Sequence, residues 1–226
     1  MLLLAGCGST WRPKVEGPYL QGKLQYWLVR PPGKPKAVVI LVHGLTQHTG
    51  EQLVQWQKHL AEQGDAVIFP RYEQPAADPS ARITIAVSSF QALDRLGDPK
   101  VPLVIVGHSR GARLAVEAAS DLHPKLIVAL FPGLWNRTFE LPTDLSQIPA
   151  TTKIDLFSGD RDTVVGTAGV KELVERLHAA GRTAHVAVIH SGAGFSATHD
   201  SVYRTDAAAQ RAIWARVDRL IASARR

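Results

Sequence analysis

The sequence predicts an α/β fold, with a mostly parallel central sheet flanked by helices on both faces. Three observations carry this. Short apolar runs recur at Ala37–Val42, Ala66–Phe69, Leu103–Val106, Leu126–Phe131, Ile154–Phe157 and His185–Ile189. They are continuous rather than alternating and rich in Val and Ile, as expected for strands covered on both faces. Between them lie segments with apolar residues at helical spacing, and alternation of that kind builds parallel sheets. Finally, 226 residues that are 45% hydrophobic and 20% charged suit one domain with a substantial core.

The elements follow in order. Leu24–Val29, between Gly22 and the Pro31-Pro32-Gly33 break, reads as an extra edge strand. Thr49 and Gln52 form a capping box before Leu53, Val54 and Leu60, and Gly64 stops that helix. Pro79 suits the first position of a helix carrying Ile83, Phe90, Leu93 and Leu96, closed by Gly97. Leu114, Ala115, Ala118, Ala119 and Leu122 make a stripe after Ser109. Val170, Leu173, Val174 and Leu177 make another, ended by Gly181, and Ile213, Val217, Leu220 and Ile221 make the last. No repeat, low-complexity tract or internal linker divides the chain. The expected organisation is an N-terminal segment and linker over residues 1–21, then one domain over residues 22–226.

Charge and cysteine content narrow the partners. Lys and Arg number 26 against 20 Asp and Glu, a net charge of +6 spread along the chain. Without a basic run or aromatic-basic interleaving, a nucleic-acid partner is not expected. Cys7 is the one cysteine, so an intramolecular disulfide is excluded. Leu4-Ala5-Gly6-Cys7 resembles a bacterial lipobox, although the apolar stretch before it is short for a signal peptide and no basic residue precedes it. Either the recorded start lies inside a longer signal, or the match is accidental. A lipidated Cys7 would tether the chain to a bacterial cell envelope; otherwise a cytoplasmic location is expected, and in either case a monomer. No later stretch reaches the ~18 apolar residues needed to span a bilayer.

In open α/β sheets the chemistry collects just beyond the carboxyl ends of the strands. After Leu103–Val106 comes Gly107-His108-Ser109-Arg110-Gly111, then a helix-period stripe. This is G-x-S-x-G in the strand–turn–helix context it requires, which exposes a serine Oγ and offers helix N-terminal amides to a developing oxyanion. After Ala37–Val42 comes His43-Gly44-Leu45, where the glycine lets backbone pass close to the nucleophile. The amides of Leu45 and Arg110 are the expected oxyanion pair; His43 reads as a packed loop histidine. After Ile154–Phe157, Gly159-Asp160-Arg161-Asp162 places two acids at a strand end. Asp162 lies further into the loop and is the candidate partner for a histidine, and Asp160 is expected to satisfy loop amides. After His185–Ile189, both His190 and His199 are candidate bases, with His199 favoured by its place in the loop. Scattered histidines without H-E-x-x-H, and no G-x-x-x-x-G-K-[ST], give no expectation of a metal, a nucleotide or another cofactor.

The order Ser109, Asp162, His199 is similar to the triad order of the α/β-hydrolase superfamily. Val38–Leu45, Gly107–Gly111, Gly159–Val165 and the loop from His190 resemble its oxyanion strand, nucleophile elbow, acid loop and histidine loop. The histidine here comes later than the Gly194-Phe195 turn where many relatives carry it. The resemblance implies a serine hydrolase of carboxylic esters, small-capped or lidless, working without cofactor through an acyl-enzyme on a small acyl ester. An acyltransferase, an amidase and a non-catalytic binding scaffold are the alternatives. Trp135 and Phe139 are candidates for an acyl-pocket wall, and Arg71 and Tyr72 for its mouth.

Overall fold

The computed structural model describes residues 11–45, 50–72, 80–134 and 143–226. Cys7, Thr49, Pro79, Trp135 and Phe139 lie outside these, so the lipobox, the capping box, the helix-opening proline and the acyl-wall readings do too.

Eight strands form one sheet: β1 Val15–Tyr19, β2 Tyr26–Val29, β3 Val38–Val42, β4 Ala66–Pro70, β5 Leu103–His108, β6 Leu126–Leu130, β7 Lys153–Gly159 and β8 His185–Ile189. Their order across the sheet is β1-β2-β4-β3-β5-β6-β7-β8. The six from β4 to β8 run parallel, while β1 pairs antiparallel with β2 and β2 with β4. All six continuous apolar runs are strands of this parallel set. Every residue of β3, β4 and β6 is buried, as the lack of alternation requires.

Two expectations change at the other edge. Val15–Tyr19, read as linker, forms the outermost strand, so the sheet begins ahead of residue 22. The Tyr26 strand is consequently not an edge; it lies between β1 and β4. Gly17 and Pro18 hid β1 from a reading by apolar pattern, because proline is tolerated in a strand only where its missing N–H is not needed, which is at an edge.

The helices are α1 Val54–Glu62, α2 Ala81–Arg95, α3 Arg110–Leu122, α4 Ala168–Ala179, and α5 Ala207–Ala209, which continues through a π-helical stretch, Gln210–Trp214, into α6 Ala215–Ala224. Gly64, Gly97 and Gly181 follow α1, α2 and α4 with positive φ, so these helices end where a left-handed residue costs least. Two apolar layers result. Leu53, Trp56 and Leu60 with Ile213, Val217 and Ile221 pack on one face of the sheet. Ile85, Leu114, Ala118, Val170, Leu173 and Leu177 pack on the other. The outer strand β8 is the exception to cover on both faces: as an edge strand it leaves Val186 and Val188 exposed. Elsewhere the covered sheet leaves its carboxyl edge as the place where loops meet, and the candidate side chains gather there.

Candidate active site

Ser109 occupies the single residue between β5 and α3, with φ 56° and ψ −125°. Positive φ in a residue with a Cβ is strained, and it persists because the flanking glycines let strand and helix close around it. A Cβ on Gly107 would lie 2.3 Å from the carbonyl oxygen of Gly111, and one on Gly111 would lie 2.1 Å from that of His43. The elbow is also tied to β6 and its loop: Ser109 N–H donates to Leu130 O at 3.0 Å, and Gly133 N–H donates to Ser109 O at 2.9 Å.

His199 begins a 3-10 turn, His199–Tyr203, after the loop that follows β8. Its Nε2 lies 2.9 Å from Ser109 Oγ and its Nδ1 lies 2.9 Å from Asp162 Oδ2. A carboxylate only accepts, so Nδ1–H donates to Asp162, and Nε2 accepts the proton of the serine hydroxyl. Asp162 Oδ1 in turn accepts the amides of Val164 at 2.9 Å and Val165 at 3.1 Å. Burial pushes the Asp162 carboxyl up, but the hydrogen bond from His199 and the amides of Val165 and Val164 outweigh it. The net result is a carboxyl held below the usual carboxylate range and ionised at neutral pH.

The loop that carries His199 reaches Asp162 because of Gly159. A Cβ there would lie 2.1 Å from the carbonyl oxygen of Ala197, two residues before the histidine. That same oxygen accepts Arg161 N–H at 3.3 Å, so the acid loop and the histidine loop are in direct backbone contact.

The structure separates the two candidate histidines. His190 is exposed and pairs with Asp160 at 3.5 Å, while His199 is buried against Ser109. Asp160 also accepts the Ser191 amide at 2.9 Å, the loop role expected of it. His43 is fully buried, stacked on Tyr72 with ring centroids 4.1 Å apart. Tyr72 therefore does not line a mouth: its ring is buried and its hydroxyl donates to His43 O. Arg71 is engaged by Gln25 at 2.8 Å.

Of the expected oxyanion donors, Arg110 is the first residue of α3, and Leu45 follows a glycine pressed against Ser109. A Cβ on Gly44 would sit 3.3 Å from Ser109 Cβ, and one on Gly133 would sit 3.2 Å from Arg110 N. Sequence reading missed three residues here: Gly133, and the pair His108 and Tyr203, whose hydroxyl lies 2.7 Å from His108 Nδ1. Only His108 carried a signal, its place directly before the serine. Among the described residues, no group of three or more His, Cys, Asp or Glu could hold a metal ion, and no helix is long and apolar enough to cross a membrane.

A strand–serine–helix elbow at the carboxyl edge of an eight-stranded sheet, with acid and histidine on the loops after β7 and β8, defines an α/β hydrolase. Known proteins agree on the class and narrow it. The sequence model of the dienelactone hydrolase family matches residues 24–224, and the chain belongs to that family. Among curated proteins it is similar to the monoglyceride lipase of Rattus norvegicus, 30% identical over 119 residues. That match covers 47% of this chain and 36% of the lipase, so the chain spans about a third of the length of that relative. Esterase B from Lactobacillus rhamnosis has the same fold, with a TM-score of 0.70, 16% identity, and 94% of this chain and 85% of that one covered. A putative dienelactone hydrolase from Klebsiella pneumoniae superposes with a TM-score of 0.63 and 18% identity, covering 88% of this chain and 92% of that one.

Proposed function

We propose that the protein hydrolyses carboxylic esters of small acyl groups through a Ser109–His199–Asp162 triad and an acyl-enzyme. The observation that carries this reading is the unbroken hydrogen-bond chain from Ser109 Oγ through His199 to Asp162. In the cycle, His199 Nε2 takes the serine proton as Oγ attacks the acyl carbonyl, while Asp162 holds the ring in its Nδ1–H tautomer and stabilises the imidazolium. The tetrahedral oxyanion is received by the amides of Leu45 and Arg110. His199 returns the proton to the departing alcohol, and water, deprotonated by the same nitrogen, releases the acid.

Three exposed apolar side chains support an apolar acyl substrate. Leu45, Leu134 and Val164 stand in the loops after β3, β6 and β7, on the same carboxyl edge of the sheet as Ser109. Esterase B has been captured with a tributyrin phosphonate, and the rat relative is a monoglyceride lipase; both names are those of proteins acting on or held by acylglycerol chemistry. The test is hydrolysis of p-nitrophenyl esters from acetate to octanoate, with a burst of p-nitrophenolate as the signature of an accumulating acyl-enzyme. Turnover that peaks at short acyl chains and vanishes in Ser109→Ala supports the reading; a wild-type chain inert on the whole panel contradicts it.

A further inference from the structure

The chemistry above uses Ser109, His199 and Asp162, and leaves open why the residue before the nucleophile is a buried histidine. His108 ends β5 and both of its ring nitrogens are engaged, by one short segment. Nε2 lies 2.9 Å from the carbonyl oxygen of His199, and Nδ1 lies 2.7 Å from the hydroxyl of Tyr203. His199 and Tyr203 are the first and last residues of the same 3-10 turn. A carbonyl only accepts, so Nε2 carries the proton and donates to His199 O; Nδ1 then accepts from the Tyr203 O–H. The neutral ring is satisfied at both ends, and the turn is gripped at both ends.

We propose that His108 and Tyr203 are positioning residues, a clamp that locks the turn carrying His199 onto the nucleophile strand and so fixes His199 Nε2 at hydrogen-bond distance from Ser109. The inference rests on the triad reading given above and adds residues that do not touch the substrate. Its physical need is plain. Asp162 orients the His199 ring, but the turn beneath that ring is a single 3-10 turn among loops, with no sheet ladder to hold its backbone. Loss of about 1 Å in such a placement can cost ~10²-fold in rate.

Two further observations fit a clamp. The loop after β3 rests on it: a Cβ on Gly44 would meet the Tyr203 hydroxyl at 2.9 Å and His108 Nδ1 at 3.0 Å. One imidazole thus joins the nucleophile strand, the histidine turn and the loop expected to receive the oxyanion. The His108 and His199 rings also sit with centroids 4.8 Å apart. An imidazolium forms on His199 during attack, and a second cation at that distance would oppose it. Burial, with His199 adding to it, lowers the His108 pKa to about 3, against the opposing pull of the His199 carbonyl and Asp162, so the clamp is uncharged whenever the triad works. Burial and the nearby Asp200 push the Tyr203 phenol up, which keeps its proton on the donor side of the bond.

The experiment compares two butyrate esters. A p-nitrophenolate leaves without help, whereas an alkoxide leaves only with a proton from His199 Nε2, so a misplaced His199 weighs more on the alkyl ester. In Tyr203→Phe, kcat on ethyl butyrate should fall roughly ten-fold, part of the loss that misplacement can produce. KM should stay unchanged and p-nitrophenyl butyrate should lose less. His108→Gln, whose amide N–H can still reach His199 O, should keep more activity than His108→Ala. Equal losses on both esters, or Tyr203→Phe at the wild-type rate on both, overturn the clamp. Nitrogen-15 NMR of histidine-labelled wild type reads the clamp without activity: His108 should appear as the Nε2–H tautomer and not titrate between pH 5 and 8. Titration near the ordinary imidazole pKa, or the Nδ1–H tautomer, refutes the clamp. The expected NMR signature in a protein that cleaves neither ester refutes the hydrolase reading alone.

Discussion

At the scale of the residue, the site is a set of groups each made useful by one neighbour. Ser109 is an ordinary hydroxyl until His199 Nε2 accepts its proton at 2.9 Å, and His199 presents that nitrogen because Asp162 takes the other. Asp162 can do so because two backbone amides and the imidazole hold it ionised despite burial. Removing any member breaks the chain, so Asp162→Asn should lower kcat on p-nitrophenyl butyrate by about 10⁴-fold and Ser109→Ala by about 10⁶-fold. The double variant should be scarcely worse than Ser109→Ala, since the residues act as a unit. His190→Ala, by contrast, should retain near wild-type kcat, because that side chain faces solvent beside Asp160. A His190→Ala loss as large as that of Ser109→Ala would remove His199 from the base role.

At the scale of the element, glycines decide how closely the loops approach. The histidine loop crosses Gly159 so tightly that a Cβ there would lie 2.1 Å from Ala197 O and 2.7 Å from the Phe131 ring. Gly159→Ala must push the loop away, lifting His199 from Asp162. We expect kcat to fall by about 10²-fold, as for a misplacement of ~1 Å, together with about 1–3 kcal/mol of lost stability from overpacking. Parallel measurement of ester turnover and urea unfolding checks both. Wild-type values for each would show that the loops are not in contact through that carbonyl.

The same scale explains what was legible in the sequence. The strands β3 to β7 could be read because burial on both faces demands unbroken apolar runs, whereas the edge strand β8 has only Ile189 buried and showed itself by its Val and Ile alone; the elbow could be read because only glycine fits at Gly107 and Gly111. The acid loop showed itself as acids just past a strand end. β1 was not legible: Gly17 and Pro18 interrupt its pattern, and its pairing with β2 is set by register in space. Tyr72 looked like a mouth residue because it follows a strand, yet the chain turns its ring under His43. The His108–Tyr203 contact joins residues 95 apart, and no local pattern encodes a contact of that separation.

At the scale of the whole molecule, the layer of α1 and α6 is closed by an ion pair that responds to pH. His59 of α1 donates from Nε2 to Asp218 of α6 at 2.9 Å, beside the stacked Trp56 and Trp214. The hydrogen bond to Asp218 raises the His59 pKa above the ordinary imidazole value, against a lowering by partial burial. A raised folded-state pKa means the contribution is complete below the unfolded value of about 6.5 and is lost as pH rises through the folded value. For a half-buried pair this is roughly 1 kcal/mol, or about 2–4 °C in Tm for a chain of this size. Wild type should therefore lose about that much Tm between pH 6 and pH 9, and Asp218→Asn should lack this component. A pH-independent Tm difference between the two would remove His59 as the titrating group.

The central claim is that Ser109 is a nucleophile activated in place, and covalent capture tests it most directly. A fluorophosphonate should form one adduct per chain, located by mass spectrometry on the peptide containing Ser109 and absent in Ser109→Ala. Wild type left unmodified under conditions that label other serine hydrolases, or an equal adduct on Ser109→Ala, would contradict it.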